Sequence, residues 1–167
     1  MGFQTMNKKG SLPDLMYIVA FLFVFAITTI VMVSFYNSYT AEVNENEAFN
    51  NTWTQDFQEQ SDSTFLTFDY IFIFILFGLL MLTIVAGLRI KTNPVFFFLS
   101  LFLLIVTIIV GVVLSNVYGE MTDATAFSAT SSNYVIMEFF FNHLPMFVVF
   151  IGLSIMLLFY AKDRIMD

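Results

Sequence analysis

The sequence predicts an all-α, polytopic integral membrane protein: four transmembrane helices with a central antiparallel hairpin, in a single membrane domain over 1–167. Three observations carry that prediction. The composition is 59% hydrophobic and only 11% charged, with a mean hydropathy of +0.84, which no soluble domain shows. Four long runs, 15–36, 70–88, 95–118 and 146–161, contain no formal charge. Every Lys and Arg falls before the first run, after the last, or in the break between the second and third.

The first run follows a short polar stretch with Lys8 and Lys9, then Ser11-Leu12-Pro13-Asp14. That tetrad reads as a helix start, with Ser11 as cap and Pro13 in the first turn. The run exceeds the about 7–15 residues of a signal-peptide core, and no small-residue cleavage site follows it, so an uncleaved anchor is expected. The connection 37–69 is expected to be an acidic loop, with Glu42, Glu45, Glu47, Asp56, Glu59, Asp62 and Asp69 and no basic residue. Within it Phe49, Trp53 and Phe57 recur every four residues, a spacing that gathers them on one helical face at the membrane interface. Two readings of that face stand: a surface helix against membrane or partner, and a loop helix packed on the tops of its own spans. The second is preferred. Asn50-Asn51-Thr52 also matches a glycosylation sequon.

The second and third runs are separated only by Arg89-Ile90-Lys91-Thr92-Asn93-Pro94. Each approaches the about 20 residues that cross bilayer hydrocarbon, and the short break makes the two helices antiparallel neighbours. Asn93 suits a cap and Pro94 a first turn. The second acidic loop, 119–138, carries Glu120, Asp123 and Glu138. The fourth run is the least regular. Either Asn142 caps a helix with Pro145 in its first turn, or a helix from about residue 134 kinks near Pro145.

Charge sets the expected topology. Lys8, Lys9, Arg89, Lys91, Lys162 and Arg164 all lie on one side, while ten of the thirteen acids lie on the other. The positive-inside rule then places both termini and the central turn in the cytoplasm. The net charge of −7 argues against nucleic acid as a partner.

No chemistry is legible in the runs. None holds an ionisable side chain of the kind that proton relays and ion pathways use. His143 has no second ligand beside it, the chain has no cysteine, and no base partners the Ser and Thr hydroxyls. No enzymatic activity, cofactor or metal is therefore expected. Small residues do recur at packing spacing: Thr83 and Gly87 in the second run, Thr107, Gly111 and Ser115 in the third. Such faces let backbones approach closely. The spacing predicts that Gly111 faces the second run, with a homo-oligomer seam as the alternative.

The stretches Asn7-Lys8-Lys9-Gly10-Ser11-Leu12-Pro13-Asp14, Asn93-Pro94-Val95-Phe96-Phe97-Phe98 and Leu114-Ser115-Asn116-Val117-Tyr118 give the chain its resemblance to a family. It resembles the small polytopic membrane proteins of icosahedral viruses that enclose a lipid membrane beneath a jelly-roll capsid, and of related proviruses. The resemblance implies a structural role in a virion internal membrane, with polar ends linking lipid to capsid, and no catalytic residue. The partners expected are membrane lipid and other membrane or capsid proteins, or a second copy of the chain. Two rival classes stand beside it: an oligomeric, holin-like pore lined by Thr28, Thr29, Thr107 and Asn116, and an accessory subunit of a larger membrane complex in a cellular membrane.

Overall fold

Apolar runs without internal charge force each backbone N–H and C=O to find its partner within its own helix. The computed structural model, which describes residues 12–46, 48–49, 51–88 and 94–165, is accordingly all-helical, with no strand among the described residues. The helices are α1 (Leu12–Glu45), α2 (Thr52–Leu88), α3 (Pro94–Asp123), α4 (Ser128–Ser131), α5 (Val135–Asn142) and α6 (Leu144–Ile165). Helices α1, α2 and α3 are each long and apolar enough to cross a membrane. The pair α5–α6 passes the same test together but is bent by 73° at its break. Three to four candidate spans make this a membrane-embedded chain.

The acidic connection is not a loop. Helix α1 has 34 residues and α2 has 37, or about 51 and 55 Å at 1.5 Å per residue against about 30 Å of hydrocarbon. Stretch 37–69 contains neither Gly nor Pro, and Ala41, Glu42, Glu45, Gln58 and Glu59 are good helix formers. The two helices therefore continue as a polar projection, with Ala48 and Phe49 in a turn between them. There Asn51 Oδ1 accepts the Thr54 N–H at 3.1 Å, and the Asn44 Nδ2 amide donates to Gln58 Oε1 across the projection at 3.1 Å.

The order around the bundle differs from the order in sequence. Helix α1 packs against both α2 and α3, and α6 packs against α3 and α2. The Asn44–Gln58 bond, the Tyr36–Phe65 ring contact and the Phe25–Phe72 contact show α1 and α2 running antiparallel. Among the described residues α2 and α3 are not a closely packed pair. Helix α5 is the physical reason. Its Phe141 ring meets Phe72 of α2 at 5.8 Å and Tyr118 of α3 at 4.6 Å, and so wedges between them. The same ring touches Phe23 of α1 at 5.9 Å. One aromatic side chain thus joins three long helices.

The rest of the core is mostly aliphatic, with Leu22, Ala26 and Ile30 of α1, Leu104 of α3, and Leu144 and Val148 of α6. Large apolar side chains such as Phe74, Phe102 and Phe150 point outward, as lipid contact requires. Between lipid-bathed helices close fit and hydrogen bonds do the holding, since no hydrophobic gain separates lipid tails from Leu.

Candidate functional site

The densest polar structure lies at the end of the bundle where α5 crosses it. Asp69, on α2 just before the apolar run, is 7% exposed. Its two carboxylate oxygens accept the backbone N–H groups of Ile136 at 2.8 Å and Met137 at 2.9 Å. These are first-turn amides of α5, which have no intrahelical acceptor. A carboxylate there both completes the hydrogen bonds and faces the positive end of the helix dipole. Asp69 is thus a cap delivered from a distant helix, 68 residues away from Met137.

Around it the second connection is lashed down. Ser34 donates to the Ala126 carbonyl at 2.8 Å, and Asn37 Nδ2 donates to Thr130 Oγ1 at 3.4 Å. The Tyr134 hydroxyl donates to the Phe65 carbonyl at 3.4 Å. Burial first, and then the Asp69 carboxylate, pushes the Tyr134 phenol up to about 12, so it stays a donor at any physiological pH.

The α5–α6 break has a chemical origin. Pro145 has no N–H to give the Phe141 carbonyl four residues earlier. Ser115 of α3 donates its hydroxyl to that carbonyl instead, at 2.7 Å. His143 sits at the corner: its N–H reaches the Phe139 carbonyl at 3.3 Å and its own carbonyl accepts the Phe147 N–H at 3.1 Å. Pro145 lies in the first turn of α6 and a separate helix begins at Val135, but Asn142 ends α5 and does not cap α6, which begins at Leu144. The exposed His143 ring contacts Phe139 and hydrogen bonds the Phe139 carbonyl at 2.9 Å.

The small-residue face of α3 turns toward α5 and α6. A Cβ on Gly111 would lie 3.5 Å from Val148 Cγ2, with Leu144 and Pro145 atoms at 3.9 Å. Gly111 therefore faces α6 and not the second run, which corrects the expectation from spacing. Further along the interface Leu104 occupies the space a Cβ on Gly152 would take. Thr107 is buried and returns its hydroxyl to the Leu103 carbonyl at 2.8 Å. Thr83 of α2 is buried too and does the same to Leu79 at 2.9 Å. The backbone of Gly87 belongs to α2.

The aromatic triplet is not packed on its own spans. Phe49 lies in the turn before α2, while Trp53 and Phe57 occupy the first turns of α2 with their rings stacked at 6.0 Å. All three are exposed. Of the basic residues, Lys162 and Arg164 fall on the α6 backbone; Lys8, Lys9, Arg89 and Lys91 lie outside the described residues, as does Asn50 of the sequon.

Among the pore-lining candidates, Thr28 and Asn116 lie on the outer surface, and the buried Thr29 donates to the Phe25 carbonyl at 2.9 Å. No group of three or more metal-ligating side chains occurs among the described residues. Sequence reasoning missed Asp69, because an acid at the edge of an apolar run reads as the end of the loop before it. Comparison with protein-family models, characterised proteins and solved structures finds no match to this chain.

Proposed function

We propose that this is a non-enzymatic structural membrane protein, a component of a virion internal membrane that links lipid to capsid. In this reading α1, α2, α3 and the bent α5–α6 pair are four spans, with α2 and α3 as the connected central hairpin. Both termini and the Arg89–Pro94 turn face the cytoplasm. Lys8, Lys9, Lys162 and Arg164 then meet the capsid.

The observation that carries the reading is the closed interior of the bundle. Phe72, Tyr118, Phe140 and Phe141 fill its end, and the buried Thr29, Thr83 and Thr107 spend their hydroxyls on their own helices. Such an interior serves packing, whereas a water path needs polar groups aimed at it.

Mass spectrometry of purified particles from the source tests the assignment, with the protein expected in the lipid-bearing fraction. Changing Lys8, Lys9, Lys162 and Arg164 together to Gln is expected to weaken capsid–membrane association in a correctly inserted variant. Normal assembly of that variant eliminates the docking role. Ion flux from the purified protein in liposomes favours an oligomeric pore instead.

A further inference from the structure

We propose that the tip of the α1–α2 projection is a docking site for a Lys/Arg-rich segment of another protein, with Trp53 and Phe57 as its apolar platform. The inference stands on helix geometry and charge, and is independent of the virion reading.

The platform is an unpartnered face. Gln58 and Phe65 mark the side of α2 that meets α1, through Asn44 and Tyr36 respectively. At 100° per residue, Trp53 and Phe57 point about 80–140° away from that side. Trp53 is 75% exposed and Phe57 53%, and their near-parallel rings, 15° apart, stack with centroids 6.0 Å apart. Stacked aromatics held on a rigid helix are efficient interface anchors, because little side-chain freedom is lost on binding.

Lipid is the wrong occupant. Trp53 precedes the apolar run at Tyr70 by 17 residues, which is about 25 Å of helix, and Phe57 stands about 20 Å out. Even counted from Phe65, Trp53 is about 18 Å along the axis. The headgroup layer adds only about 5–7 Å beyond the hydrocarbon on each side. The pair therefore stands in water, well above the belt where aromatics anchor a span.

Charge selects the partner. Glu42, Glu45, Asp56, Glu59 and Asp62 are all exposed on the projection, and 37–69 holds no Lys or Arg. Asp56 lies three residues from Trp53, on the adjoining strip of the same face. Another copy standing alongside in the membrane would bring like charge to like charge, and this chain's own basic residues all lie at the opposite ends of its apolar runs. A cationic segment gains both ways: the acids steer it in, and its Lys or Arg heads rest on the electron-rich ring faces.

Trp53 is the only tryptophan, so emission from the intact protein reports this site alone. In nanodiscs of zwitterionic phosphatidylcholine, deca-arginine is expected to change Trp53 emission saturably and in a salt-dependent way. The D56N/E59Q/D62N variant is expected to bind about ten-fold more weakly. Phe57→Ala, which changes no charge, is expected to bind about three-fold more weakly. Wild-type affinity in either variant, or an unchanged emission on titration, overturns the proposal. Brominated phosphatidylcholine is expected to leave Trp53 emission intact; quenching would put the rings in the bilayer and overturn it. Rapid disulfide formation between copies of a Phe49→Cys variant would assign the face to a second copy and overturn it as well.

Discussion

The Ser115 hydroxyl lies 2.7 Å from the Phe141 carbonyl, supplying from α3 the donor that Pro145 denies to α5. One residue creates the break and another, on a different helix, satisfies it. Removing the hydroxyl by Ser115→Ala is expected to cost about 1 kcal/mol, the scale of single interhelical hydrogen bonds in membranes. In a Pro145→Ala background the returned N–H gives Phe141 an intrahelical partner, so the same change is expected to cost less. A double-mutant cycle by unfolding in detergent checks this, and additive costs would refute the coupling.

Asp69 offers a graded test. Asp69→Asn keeps the size but has one acceptor oxygen where the carboxylate has two, and Asp69→Ala has none. Hydrogen exchange at the Ile136 and Met137 amides is expected to rise in Asn and rise further in Ala. The Ala change is expected to cost about 1–2 kcal/mol, as loss of a helix cap does. The exposed Asp62→Ala serves as the control, with exchange at α5 unchanged.

Glycine positions are expected to differ sharply. Gly111→Ala places its Cβ in ordinary contact with Val148 and is expected to be neutral. Gly111→Leu overfills the α3–α6 seam at about 1–3 kcal/mol. A Cβ at Gly78 meets nothing within 4 Å, so Gly78→Leu is expected to be tolerated. Thermal stability of the purified variants orders them.

The native chain has no cysteine, so single cysteines read sidedness without background. Replacements at Ser61 and Ser128 are expected to react with an impermeant maleimide in intact cells, and those at Ser11 and Thr92 are not. Labelling at Thr92 from outside would reverse the proposed orientation.

The long apolar helices were legible because charge is expelled from them, and hydropathy reads that directly. Their partners were not. Core and lipid-facing positions are equally apolar here, as Phe72 and Phe74 on one helix illustrate, so no polar stripe marks the side that packs. Spacing marks Gly111 as a close-approach position but matches it to the nearest helix in sequence. The polar projection reads as a loop because acidic composition outweighs a quieter signal, thirty-three residues, 37–69, without Gly or Pro. Asp69 is hidden by the same bias. Its partner amides lie 67 and 68 residues further along the chain, and no local pattern displays that pairing.

The circuit of the bundle has a consequence for biosynthesis. Helix α6 lies between α3 and α2 in space yet leaves the ribosome after both. Until it arrives, the Gly111 flank of α3 lacks the Leu144 and Val148 side chains it finally meets, and the Ser115 hydroxyl has no Phe141 carbonyl to bond. Early insertion can seat α1 against α2 and α3, but the centre stays open through translation of the first 134 residues. The nascent protein thus passes through a stage with an unfilled slot, and its closure is timed by the arrival of α6.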